Sequence, residues 1–199
     1  MEKGGRADTL TAAGITAEQG VGWADEMRVG LIGTTRRVWG RCGVKVCQRI
    51  QRVYEWRSLH LVVDPLQGRL WWFWSHSMQA TVARTLVEAT QSETDLAALV
   101  WDRAPSHRDG TVRALGLPLI EQPPGTRPRV SPELNPAERV FEHLRAGIEG
   151  AVYLTIADKV AAVEVILAKL DADPERVTSL TGWHWIAENL HRLPADNAA

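Results

Sequence analysis

Apolar and polar positions change period several times along the chain, and those changes mark out its elements. Residues 1–20 are rich in Gly, Ala and Thr with little periodicity, and read as a loose tail or a short helix. Strand-like runs follow near residues 23–32, 37–54 and 58–63, the middle one as two arms or one long strand. In Asp64-Pro65-Leu66-Gln67-Gly68 a proline that fixes φ is followed by a glycine that accepts positive φ, which makes a turn. The run Arg69-Leu70-Trp71-Trp72-Phe73-Trp74 returns from it, so residues 58–74 form a predicted hairpin. Alternation puts Trp72 and Trp74 on one face, Trp71 and Phe73 on the other. That arrangement favours packing on both faces of a sheet over a platform for stacking bases.

Helical spacing then takes over. Ser77 is placed to cap a helix in which Met78, Val82 and Leu86 recur at i, i+4 beside Ala83 and Val87. Leu96-Ala97-Ala98-Leu99-Val100-Trp101 lacks polar alternation, as a strand covered on both faces does. A short helix near residues 109–115 ends at Gly116, a short strand spans 117–120, and Pro123-Pro124-Gly125 opens a stiff loop. Asn135-Pro136-Ala137-Glu138 starts a helix with Asn at N-cap, Pro at N1 and Glu at N3, and Ala137, Phe141, Leu144 and Ile148 share its apolar stripe. Two further helices, near 156–170 and 174–190, close the chain, the last docked by Trp183 and Trp185. Antiparallel strands followed by alternating helices and strands predict an α/β protein, a mixed sheet with helices on both faces.

Composition narrows the classes. With 45% hydrophobic and 24% charged residues among 199, the chain is neither disordered nor fibrous. Cys42 and Cys47 cannot make a disulfide scaffold or, lacking a second pair, a structural zinc site, and read as thiols in a reducing compartment. No apolar run reaches the ~20 residues of a membrane span, and the first residues hold no signal-peptide core. A cytoplasmic protein is expected. A phosphate loop, a zinc-protease motif and a nucleophile elbow are all missing from the sequence.

Three acids stand out by context. Asp25 lies inside the first strand-like run, Asp102 ends the apolar run at Trp101, and Glu138 sits in the first turn of the helix after the proline-rich loop. A carboxylate in or at the end of an apolar strand is costly to bury without compensation. Hard divalent cations take oxygen ligands and supply it. A blander alternative stands beside each: Glu138 as a capping-box acid, Asp102-Arg103 as a turn with its own ion pair, Asp25-Glu26 as a solvated strand edge.

The combination resembles a known family. Leu99-Val100-Trp101-Asp102-Arg103-Ala104-Pro105-Ser106-His107, followed by Ser131-Pro132-Glu133-Leu134-Asn135-Pro136-Ala137-Glu138, is similar to the signature of mariner-like transposases and their bacterial insertion-sequence relatives. In that family an apolar strand ends in Asp-Asn-Ala-Pro-x-His, and the later loop reads Ser-Pro-Glu-Leu-Asn-Pro-x-Glu. The 35 residues between Asp102 and Glu138 match the family's spacing. The resemblance, over residues 23–148, implies a ribonuclease-H-like mixed five-stranded sheet of order 3-2-1-4-5 with helices on both faces. It makes 21–150 the DDE catalytic core, 1–20 a tail and 151–199 a helical extension. It also implies that Asp25, Asp102 and Glu138 hold two Mg²⁺ ions, with Mn²⁺ as substitute, and that His107 and Asn135 support them. Water would cleave transposon-end DNA, and the freed 3′-hydroxyl would attack target DNA, in a homodimer.

Arg103 stands where the family has Asn, and the loop at residues 123–130 is longer than usual and lacks its Tyr. About twenty residues precede Trp23, too few for a helix-turn-helix module, which is expected to be encoded upstream. Two other readings stay open: a non-catalytic remnant serving as an interaction module, and a nuclease for RNA–DNA hybrids. The formal charge of -1 argues against nucleic acid until it is divided by segment. Residues 28–57 carry eight bases against Glu55, whereas residues 146–199 carry four bases against eight acids. On the DNA reading, Arg36, Arg37, Arg41, Arg49, Arg52 and Arg103 contact phosphates.

Overall fold

Strand β1 (Gly20–Gly30) is the axis of the molecule. It pairs antiparallel with β2 (Trp56–Asp64), which pairs antiparallel with β3 (Arg69–Ser75). On its other edge β1 pairs in parallel with β4 (Leu96–Trp101), which pairs in parallel with β5 (Leu119–Glu121). The order is β3-β2-β1-β4-β5, the 3-2-1-4-5 arrangement expected from the sequence. The computed structural model describes residues 5–33, 39–47, 49–122 and 134–195.

Side-chain alternation divides the core into two layers. One face of the sheet buries Trp23, Met27, Val29, Leu59, Leu61 and Val100 against α4 (Ala137–Ile148), α5 (Ile156–Asp171), α6 (Pro174–Thr181) and α7 (His184–Leu190). Leu10 of α1 (Gly5–Ala12) joins that layer. The other face buries Ala24, Val62, Leu99 and Trp101 against α2 (Ala80–Glu93) and α3 (Gly110–Arg113). The aromatic run of β3 divides as alternation predicts: Trp72 and Trp74 pack with the first layer, Trp71 and Phe73 with the second. Trp72 and Trp74 also donate their indole N–H groups to Glu164 of α5. Among the described residues no helix is long and apolar enough to cross a membrane.

Three expectations need correction. The strand expected over residues 37–54 is absent among the described residues 39–47 and 49–54, which connect β1 to β2 without regular structure. Both edges of β1 are already taken by β2 and β4, so the sheet has no place beside it for this run. Its apolar side chains, among them Trp39, Val44, Val46 and Tyr54, are exposed. Helix α2 starts at Ala80 rather than behind a Ser77 cap, because Ser77 is tied by its backbone to the Ser75 hydroxyl. The last expected helix is two, α6 and α7, divided at Gly182, where a Cβ would sit 2.7 Å from the Thr178 carbonyl and 2.9 Å from that of Pro65.

The turn between β2 and β3 holds Gly68 at φ +65, and a Cβ there would run into the Pro174 carbonyl at the start of α6. Gly116 has φ +82 but open space around it. Gly68→Ala should therefore lower stability in urea unfolding by about 2–4 kcal/mol, strain plus overlap. Gly116→Ala should cost about 1 kcal/mol from backbone strain alone. Equal losses would contradict the seating of the hairpin tip on α6.

Candidate active site

Asp25 and Glu26 are adjacent in β1, so their side chains leave the sheet on opposite faces. Asp25 shares the α4 face with Trp23 and Met27, and Glu26 shares the α2 face with Ala24. In the ladder Asp25 lies beside Leu61 and Glu26 beside His60. Trp23 is the last β1 residue paired with β4, opposite Val100. The pairing ends there, and Asp102 follows directly after β4.

On the α4 face, Asn135 fastens the helix to the strand. Its amide donates to the Ala24 carbonyl at 2.9 Å and to Asp25 Oδ2 at 3.1 Å. Its Oδ1 accepts the Ala137 N–H at 3.1 Å, and its carbonyl accepts the Glu138 N–H. The Asn135 side chain thus caps α4 as the sequence predicts, although the helix begins at Ala137, one residue later than expected. Glu138 closes no capping box; its Oε2 lies 3.5 Å from Arg145 Nη1. Burial, together with the charges of Glu26, Glu138 and Asp102, pushes the Asp25 carboxyl up to about 8, although the Glu26 N–H bonds it. Glu138 and Asp102 thus bear on Asp25 by charge, after its burial and the neighbouring Glu26.

On the α2 face a second polar group is buried. His107 stacks on Trp101, ring centroids 3.7 Å apart. Its Nδ1 lies 2.5 Å from Asp102 Oδ1 and its Nε2 3.0 Å from Glu26 Oε1. With a carboxylate at each nitrogen the ring donates from both, as an imidazolium. Burial alone would lower its pKa, but the bonds to Asp102 and Glu26 raise it to about 9. For Glu26, burial alone would raise the pKa, but His107 and His60 hold it at about 2. His60 Nδ1 stands 3.5 Å from Glu26, and its Nε2 donates to Ser75 Oγ at 2.8 Å.

Of the expected phosphate contacts, Arg41, Arg49 and Arg52 are exposed on the β1–β2 connection, and Arg36 and Arg37 lie outside the described residues. So do Ser131, Pro132 and Glu133 of the signature and the loop at 123–130. Arg103 turns to Glu121, 3.2 Å away, and donates to the Gln122 carbonyl. Sequence reasoning missed Glu26 and His60; the available signal was a histidine inside the apolar run of β2 facing an acid of β1. The oxygen donors of Asp25, Asp102 and Glu138 are of the chemical type a hard divalent cation takes. As they stand, no group of three His, Cys, Asp or Glu among the described residues is arranged to hold an ion. Asp102 Oδ1 is taken by His107 and by the Ala104 N–H, and Glu138 is paired with Arg145.

No family model and no curated protein matches the sequence. Solved structures match the fold. The Mos1 Strand Transfer Complex aligns with 94% of this chain and 58% of that chain, at TM-score 0.63 and 16% identity. The Mos1 transposase paired-end complex with left transposon end gives TM-score 0.62 and 15% identity, over 94% and 57% of the two chains. The mariner Mos1 paired end complex with Mg gives 0.62 and 14%, over 96% and 59%. The chain spans just under three-fifths of the length of those it matches. At such identities the likeness is one of fold, the ribonuclease-H-like sheet of the Mos1 catalytic domain.

The shifted groups set a pH dependence. Folded Asp25 keeps its proton to about pH 8, whereas the unfolded side chain releases it near 3.8, so its contribution to stability falls as pH rises between those values. The His107 contribution is complete below pH 6.5 and is lost as pH rises through about 9. Glu26 acts in the opposite sense, losing its contribution below pH 4.5 towards about 2. Thermal unfolding should show stability declining from neutral to pH 9, and Asp25→Asn should be more stable than wild type at pH 8–9 but not at pH 4. A gain that does not grow with pH would refute the protonated Asp25.

Proposed function

We propose that this chain is the catalytic domain of a DDE-type DNA transposase, with residues 21–150 as its core. The observation that carries the reading is the junction of β1 and α4, where the Asn135 amide bonds both the Ala24 carbonyl and Asp25 Oδ2 and so brings the first turn of the helix that carries Glu138 against the strand that carries Asp25. Carboxylate oxygens beside a sheet's central strand are donors of the type a hard divalent cation takes. The motif around Asp102 and Glu138 and the fold shared with Mos1 point the same way.

Asp25, Asp102 and Glu138 would hold two Mg²⁺ ions, or Mn²⁺ in their place. The chemistry such ions supply is activation of the attacking oxygen and stabilisation of the leaving one in phosphodiester cleavage and strand transfer. The chain's own side chains prepare the site. Asn135 holds the start of α4, and with it Glu138, against β1, and it orients Asp25 through Oδ2. His107 holds Asp102 from the side. Arg41, Arg49 and Arg52, exposed on the β1–β2 connection, would meet phosphates of DNA on this reading. The partners that accompany this reading are transposon ends, target DNA, an end-reading helix-turn-helix segment and a second copy of the chain.

A second reading, a non-catalytic interaction module, draws on Arg103 beside Asp102 and on the pairing of Glu138 with Arg145. Purified protein, supplied with an end-reading segment, end-containing DNA and Mg²⁺ or Mn²⁺, should nick that DNA. Asp102→Asn and Glu138→Gln, folded by circular dichroism, should lose about a thousandfold or more of the rate. Wild-type protein that nicks nothing under these conditions would turn the decision to the interaction module. Faster cleavage of RNA–DNA hybrids than of duplex DNA would assign a hybrid nuclease instead.

A further inference from the structure

Glu26 stands next to Asp25 in sequence but leaves the sheet on the other side, where a carboxylate has no part in the chemistry proposed above. It is nevertheless almost completely shielded, its side chain 10% exposed. Burying it there is costly unless the charge is matched and hydrogen-bonded. The match is His107, whose Nε2 lies 3.0 Å away and whose other nitrogen grips Asp102 at 2.5 Å. Behind Glu26, His60 closes to 3.5 Å and is itself fixed twice, by its bond to Ser75 and by stacking on Phe73 at 4.7 Å. The stack of Trp101 on His107 leaves the imidazole little freedom to rotate. Hydrogen bonds thus link Glu26 on β1 through His107 to the carboxylate that follows β4, with His60 of β2, held by Ser75 of β3, standing behind Glu26.

We propose that Glu26 is a positioning residue of the active site: acting through His107, it fixes the Asp102 carboxylate from the far side of the sheet. This rests on the reading of Asp102 as a catalytic acid. A carboxylate just past the end of a strand is otherwise free to swing, because the Ala104 N–H is the one backbone group that bonds it in the described structure. Clamping the imidazole at both nitrogens converts the rigidity of the central strand into a fixed direction for Asp102. Partners of this kind, one step removed from a ligand carboxylate, typically change affinity or activity about 10–100-fold when replaced.

The test is a double-mutant cycle on single-turnover nicking, with DNA affinity and thermal stability measured alongside. Glu26→Gln, nearly isosteric, should slow nicking about 10–100-fold with DNA Kd unchanged, as should His107→Gln. The double variant should be no slower than His107→Gln alone, since Glu26 acts only through that ring. An unaltered rate in Glu26→Gln, or losses that multiply in the double variant, would overturn the proposal. A readout independent of activity and of any variant is the His107 Nε2–H proton, expected in wild-type NMR spectra as a slowly exchanging downfield resonance; its absence would also overturn it. If wild-type protein nicks no DNA although this proton is present, the catalytic reading fails while the link between Glu26 and His107 stands.

Discussion

Two neighbouring carboxylates in the central strand of a buried sheet are the constraint around which this molecule is organised. A strand sends consecutive side chains to opposite faces, so Asp25 and Glu26 cannot share one compensating group. Each face must supply its own, in a layer made otherwise of Trp, Leu, Val and Phe. The α4 face brings the Asn135 amide and the first turn of a helix. The α2 face brings two imidazoles, His60 and His107. The burial of Asn135, His60 and His107 among apolar side chains answers that need.

The two faces resolve the problem in opposite directions. Glu26 is paired with His107 and His60 and stays ionised to about pH 2, while Asp25, buried and facing the charges of Glu26, Glu138 and Asp102, is held protonated to about pH 8 although the Glu26 N–H and the Asn135 amide bond it. Adjacent residues of one type are thus separated by some six pH units through surroundings alone. Burial and specific charges produce both shifts, an ion pair on one face and burial beside like charges on the other. The ion-paired acid lies on the α2 face of the sheet and the protonated one on the α4 face.

Much of this was legible in the sequence because it depends on periodicity and local chemistry. The division of Trp72 and Trp74 from Trp71 and Phe73 follows from alternation, and the cap at Asn135 follows from residue type. The apolar run to Trp101 identified a doubly covered strand before its neighbours were known. What was not legible depends on tertiary competition. Residues 39–47 and 49–54 have a strand's composition but form no regular structure between β1 and β2, and at Gly182, where a Cβ would meet the Pro65 carbonyl, the last helix divides in two. Glu26 escaped notice because its value lies in His107, 81 residues downstream. The acids at 102 and 138 were found through a motif, whereas their action on Asp25 emerges only once β1, β4 and α4 are folded together.

The seating of the β2–β3 hairpin on the C-terminal helices bears on how the chain is made. The hairpin is finished by residue 75, yet the group that receives the indoles of Trp72 and Trp74 is Glu164, and the carbonyl against Gly68 belongs to Pro174. About ninety residues separate the two tryptophans from Glu164, and more than that separate Gly68 from Pro174. On a ribosome adding roughly 5–20 residues each second, an aromatic-rich hairpin emerges several seconds before the helices that cover it. During that interval its outward tryptophans are available to any apolar surface nearby. The last helices therefore act, during synthesis, as the step that ends the chain's exposure to misassociation.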